Sequence, residues 1–268
     1  MQWYFRTGTR VESLVKLGFM KRHPTPASVL AAATFALAIL TLLSLSIEHT
    51  HAAMAAPAAP PPAPSEPIFR LPFDLPPGPS TWLITQWYGN TQFAYHWRHL
   101  WYEAGQGLHF GLDFGAPCGT PIVAIGDGVV TYVDASRFGS GPHNLILDHG
   151  NGFASLYGHL LRTPALRPGD TVRRGEVIAL SGDPDNTCTS RPHLHLEIRN
   201  DTYHYAYNPV QFIAADWDSL ALLGPRGGFE RDLTDPQRWV TPADQPIVDF
   251  WARPLNDYTY PWPPDWSQ

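Results

Sequence analysis

The chain has 268 residues, 44% hydrophobic and 16% charged, which suits one or two domains with a sizeable core. It holds 18 basic and 24 acidic residues; five of the bases and one acid lie in the first 26 residues, leaving 13 against 23 beyond them, a net charge of −10. That acidic remainder has no Lys/Arg cluster longer than Arg173-Arg174, which excludes a nucleic-acid-binding surface.

The N-terminal flank 1–26 carries Arg6, Arg10, Lys16, Lys21 and Arg22 against Glu12 alone. Ala27 to Ile47 then runs for 21 residues without a charge. At about 1.5 Å per residue a helix of this length crosses a hydrocarbon core of about 30 Å. The basic flank belongs in the cytoplasm, which sends the rest of the chain outside. An uncleaved transmembrane signal anchor over 27–47 is expected. The alternative is secretion after signal cleavage, for which Ala52 to Ala56 ("AAMAA") offers small residues at the required spacing. No cysteine follows at a lipoprotein position. Residues 48–67 contain seven alanines and six prolines and read as a semi-rigid linker.

A folded domain is expected over 68–213, and its elements read as short strands. "TWLITQWYGN" (81–90) is a strand running into a Gly-Asn turn, followed by an aromatic loop with Phe93, Tyr95, Trp97, Trp101 and Tyr102. In "GLHFGLDFGAP" (107–117), His109, Gly111 and Asp113 alternate with Phe110, Leu112 and Phe114, so the polar set shares one face. Glycine between the two polar residues leaves room for something bulky above the sheet. Further strands are expected in "PIVAIGDGVVTYVDA", "HNLILDHG", "FASLYGHL", "DTVRRGEVIALSG" and "RPHLHLEIRN". "HGNG" (149–152) contains the Asn-Gly pair favoured in type I′ hairpins. Alternation places Tyr157 and His159 on one face of their strand. It puts His193, His195, Glu197 and Arg199 opposite Leu194, Leu196 and Ile198 on another. No helical period competes, so the fold class is mainly β, an antiparallel sheet with loops at its ends.

His109, Asp113, His159, His193 and His195 all fall on polar strand faces. A catalytic zinc site takes three protein ligands and keeps a fourth position for water; two histidines and an aspartate would give it a net charge of +1. Hydrolysis also needs a base for the water proton and a group that steadies the developing oxyanion. The order His-x-x-x-Asp, Tyr-Gly-His, His-x-His within 90 residues supplies both sets of groups.

"HFGLDFGAPCGTPIVAIGDGVV", "LDHGNGFASLYGHL" and "GEVIALSGD…RPHLHLEIR" resemble the lysostaphin-type (LytM-like) zinc metallopeptidases, bacterial endopeptidases that cut peptide cross-links of peptidoglycan. The resemblance covers about residues 80 to 213. It implies a β-sheet groove, one zinc ion per chain held by His109, Asp113 and His195, and cleavage through a zinc-activated water. It further implies His193 as general base and His159 as the residue that orients the water and steadies the oxyanion. Peptidoglycan peptides are the implied partner; nothing in the sequence sets an oligomeric state.

The loop "DPDNTCTSRP" and the aromatic insertion 93–102 would form rims of the groove. His96 and His99 read as solvated, His143 and His149 as structural. The Trp/Pro-rich extension 214–268 reads as an irregular tail packed over the sheet, with a sugar- or peptide-binding platform as the sharper alternative. Cys118 and Cys188 lie in the exported part, where an even count suits a disulfide; two buried free thiols are the rival reading. "GDGVV…GDTVRRGEVIAL" also resembles biotinyl and lipoyl hammerhead strands, but no acceptor lysine follows Lys21. A catalytically silent relative that binds peptidoglycan or activates a separate cell-wall amidase is the competing function; such members lack ligands or catalytic histidines, and this chain keeps all five residues.

Overall fold

The computed structural model describes residues 60–224, 230–232 and 238–257. The flank 1–26, the expected anchor 27–47 and most of the linker lie outside the described residues, as do Trp262 and Trp266. Among the described residues no helix is long and apolar enough to cross a membrane.

The main sheet is antiparallel throughout and runs in the order β1 (Leu83–Gln86), β2 (Leu112–Gly115), β9 (His193–Asn200), β6 (Phe153–Gly158), β5 (Leu145–Asp148), β4 (Gly128–Val133) and β7 (Thr171–Val172). β10 (Tyr205–Tyr207) pairs with the far end of β9 and with β11 (Val248–Asp249). β3 (Pro121–Val123) and β8 (Val177–Leu180) pair in a separate small sheet. The apolar faces meet in one core that takes Leu112 and Phe114 from β2, Leu194, Leu196 and Ile198 from β9, and Ile122 and Ile178 from the small sheet. The alternation read from β9 therefore holds. Its leucines and isoleucine are fully buried, and burying one such side chain is worth about 1.5–3 kcal/mol.

Three local expectations are corrected. "PIVAIGDGVVTYVDA" and "DTVRRGEVIALSG" are not single strands: each breaks in the middle and sends its halves (β3 and β4, β7 and β8) to different sheets. The breaks fasten to each other, since the Asp127 carboxylate accepts from the Arg174 amide at 2.7 Å. The β5–β6 connection is a hairpin, but not on Asn-Gly at its centre. The left-handed positions are Gly150 (φ 68°) and Gly152 (φ 88°), while Asn151 uses its side chain to accept from the Phe153 amide at 3.2 Å. Lastly, Tyr157 and His159 do not share a face. Tyr157 is fully buried in the core and its hydroxyl accepts from the Ile125 amide, whereas His159 sits just past β6 with φ 55° and is turned out of the strand's alternation.

The extension after Ile213, expected as an irregular tail packed over the sheet, is partly regular among the described residues. α1 (Trp217–Leu223) packs by β1, with Trp217 edge-on to Trp87 at 6.1 Å. Further on, Gln245 accepts from the Asn90 amide at 2.9 Å, and Asn256 is buried against the carbonyl of Gly107. These contacts brace the loop that delivers His109. Cys118 and Cys188 are joined as a disulfide with their Cα atoms 5.8 Å apart.

Candidate metal centre

β2 and β9 pair so that Asp113 lies directly opposite His195 and Gly115 opposite His193. Facing residues of paired strands share a side of the sheet, which joins two sequence motifs 82 residues apart. His109 reaches the same spot from just before β2, where the main chain of Gly89 holds it through two hydrogen bonds of 2.7 and 2.9 Å. The donor atoms of His109, Asp113 and His195 all lie within 4.8 Å of one another. His109 Nε2 is 3.2 Å from both Asp113 Oδ1 and His195 Nδ1, and those last two atoms are 2.7 Å apart. The bulky group above Gly111 is the His195 ring, since a Cβ there would stand 2.6 Å from its Cε1.

Each ring nitrogen that points away from this cluster is committed. A carbonyl can only accept, so His109 Nδ1–H donates to the carbonyl of Trp87 at 2.7 Å and leaves the Nε2 lone pair facing inward. Likewise His195 Nε2–H donates to Glu197 Oε1 at 3.2 Å and leaves Nδ1 inward. Glu197 is itself fully buried, accepts from Arg199 Nε at 2.6 Å and from the Ser140 hydroxyl at 3.2 Å, and so is held ionised. Its burial alone would raise its pKa, but the Arg199 charge and the His195 hydrogen bond carry it below the usual range. Burial also opposes the charge on Asp113, yet the neighbouring His109 and His193 hold its carboxyl well below the ordinary value. Burial disfavours the charge on His195, but the hydrogen bonds to Asp113 and Glu197 push the ring up to about 9, so a cation at Nδ1 would take the place of a proton there. Two inward nitrogens and a carboxylate oxygen, each oriented by a second contact, fit a divalent cation.

The other two candidates stand beside this cluster. His193 Nε2 lies 3.7 Å from Asp113 Oδ2, and its Nδ1–H donates to the carbonyl of Arg191 at 2.6 Å. The His159 ring is 4.7 Å from that of His193 and 5.8 Å from that of His195. Its Nδ1–H donates to the carbonyl of Gly141. Burial, helped by the charges of His193 and His195, pushes His159 down to about 3. Both rings thus present an Nε2 lone pair to the cleft. That cleft, of about 960 Å³, is lined by Trp101, Tyr102, Ser140 and Pro142 together with the cluster.

Among the described residues the other histidines stay out of the centre. His99 reaches only Asp257, at 3.6 Å, and His143 pairs with Asp134 at 2.9 Å. His149 bonds the Asp127 carbonyl and Ser155 Oγ, packed on Phe69. Sequence reading put Glu197 and Arg199 on the histidine face without a use for them; their place on the same face as His195, two and four residues on, was the available signal. The support from Trp87, Ser140 and Gly141 carries no sequence signal.

The cleft thus carries an oriented His/Asp/His set that could hold a divalent cation. Residues 107–209, which hold all five candidate residues, match peptidase family M23, whose lysostaphin-type members the chain's motifs resemble. The chain is 39% identical over 134 residues to an uncharacterized metalloprotease of Haemophilus influenzae, covering 50% of this chain and 27% of that protein. It is also 39% identical over 92 residues to the DD-carboxypeptidase/endopeptidase Mpg of Neisseria meningitidis, covering 34% of this chain and 20% of that protein. The catalytic domain of lysostaphin from Staphylococcus simulans is 29% identical, with 39% of this chain and 77% of that one covered and a TM-score of 0.34. The chain spans roughly a quarter or less of the length of these two curated relatives.

Proposed function

We propose that the protein is a zinc-dependent endopeptidase that hydrolyses peptide cross-links of bacterial peptidoglycan outside the cytoplasm, with His109, Asp113 and His195 as its metal ligands. The observation that carries this reading is the convergence of three donor atoms within 4.8 Å in a cleft that the His193 and His159 rings also line. When bound, the zinc would supply Lewis acidity, bringing the pKa of a water towards 7 and polarising a carbonyl.

The chain's own residues supply the rest. His193 is fixed by the Arg191 carbonyl with its Nε2 lone pair open, as a general base requires. It takes the proton of the attacking water and returns it to the leaving amine. His159 accepts a hydrogen bond from that water through Nε2 and so aims it. Because its Nδ1–H is spent on Gly141, it donates to an oxyanion only after it has gained a proton. The expected oxyanion role of His159 is therefore coupled to proton transfer, whereas its water-orienting role suits the neutral ring as it stands.

The relatives' printed activities, a metalloprotease and a DD-carboxypeptidase/endopeptidase, support the peptide substrate. The disulfide and the charge-free 27–47 segment behind a basic flank support an exported domain anchored to the membrane by one helix. The full chain in detergent should contain one zinc per molecule, release peptide fragments from purified peptidoglycan, and lose that activity to a chelator. Zinc without any release would favour the silent, amidase-activating alternative. Trypsin applied to intact spheroplasts should digest the 68–213 region; protection would refute the orientation.

A further inference from the structure

The Arg191 side chain lines the cleft and has no part in the machinery above. Among the described residues Arg191 is the only Lys or Arg that lines the groove, and no acidic side chain lies within ion-pair distance of its guanidinium. It comes from the loop "DPDNTCTSRP", and that loop is tightly fixed. The carboxylate of Asp183, itself buried, accepts from the Ser190 amide at 3.1 Å, the Ser190 hydroxyl at 2.8 Å and the Arg191 amide at 3.3 Å. Cys188 ties the same loop to Cys118. The carbonyl of Arg191 is the acceptor that orients His193. One residue thus sets the proton carrier with its backbone and offers a cation with its side chain.

The side chain has a defined place. The guanidinium lies over the rings of Phe93 and Trp101, with centroid distances of 5.9 and 5.7 Å, at the outer range of cation–π contact. A guanidinium held by its face keeps its in-plane N–H groups free, and that planar fork matches a carboxylate. Asp185, the other charged group at this rim, has its carboxylate taken by the amide and hydroxyl of Thr187.

We infer that Arg191 is a specificity residue which binds a free carboxylate on the substrate, within about two residues of the scissile amide. The spacing follows from the chain: Arg191 stands two residues before His193, and an extended peptide in the groove advances about 3.3 Å per residue. The substrate class is then a cross-link whose amine-donating residue carries its own carboxylate, rather than a neutral bridge of small residues. This rests on the peptidase reading above and narrows it.

The test uses two synthetic cross-linked peptides that differ only in a carboxylate or a carboxamide beside the scissile bond. The zinc-loaded full chain should cut the carboxylate peptide with a kcat/KM about 10- to 100-fold higher, chiefly through KM, as a lost charged hydrogen bond implies. Arg191→Gln should bring the two peptides to within about threefold of each other, and Arg191→Lys should keep part of the preference. A wild type without preference, or Arg191→Gln with the wild-type ratio, would overturn the inference. If neither peptide is cut, the peptidase reading falls, and tryptophan fluorescence titration with the same peptides decides about Arg191. Tighter binding of the carboxylate form that disappears in Arg191→Gln sustains it, and equal binding overturns it.

Discussion

Glu197 Oε1 accepts the Nε2–H of His195 at 3.2 Å, and this bond fixes which nitrogen of His195 faces Asp113. The glutamate sits two residues further along the same strand, on the same face, with no exposure to solvent. Arg199 continues the row and neutralises it from behind at 2.6 Å.

Glu197→Gln should therefore weaken the metal site without touching a ligand. A second contact of this kind is typically worth about 10- to 100-fold in metal affinity. The substitution also leaves Arg199 buried without its counter-charge, a loss on the order of 3 kcal/mol. Chelator competition and thermal melting measure the two effects separately, and unchanged zinc affinity would remove Glu197 from the centre.

Asp113→Ala and His193→Ala should separate metal binding from proton transfer. The first removes the one carboxylate among the three converging donors and should empty the site, abolishing turnover with it. The second should keep the zinc and lose about 10²–10⁴-fold in kcat. Zinc analysis of both variants decides: an empty His193→Ala beside a filled His195→Ala would reverse the roles within His-x-His.

Cys118→Ser should destabilise the domain in oxidising buffer while leaving zinc content intact. The bridge closes a separation of 70 residues, worth about 4 kcal/mol on the loop-entropy view. Thiol labelling of the unreduced, denatured chain should find no free thiol; two reactive thiols per chain would contradict the disulfide.

Acid sensitivity should depend on His149. Burial against Phe69 lowers its pKa below 6.5, so the unfolded chain binds the proton first. Stability from this group is complete above about pH 6.5 and is lost as the pH falls towards the depressed folded value. His149→Gln should make the melting temperature less steep between pH 7 and 5. An identical slope in wild type and variant would remove His149 as the cause.

The strand faces and the reactive residue types are legible in the sequence. In β9 the alternation of Leu194, Leu196 and Ile198 with His193, His195, Glu197 and Arg199 is a local property of extended chain, and it holds in the structure. The same rule misplaced His159, because one left-handed residue after Gly158 inverts the alternation, and no local pattern announced it. The sequence also left the β3/β4 and β7/β8 breaks unread, since a strand's choice of sheet depends on partners far along the chain. Only the tertiary structure set Asp113 against His195, closed the Asp183 loop that presents Arg191, and turned Glu197 from a surface-like charge into a buried acceptor. The physical reason is the same in each case: register and burial are fixed by pairings across tens of residues, whereas alternation is fixed between neighbours.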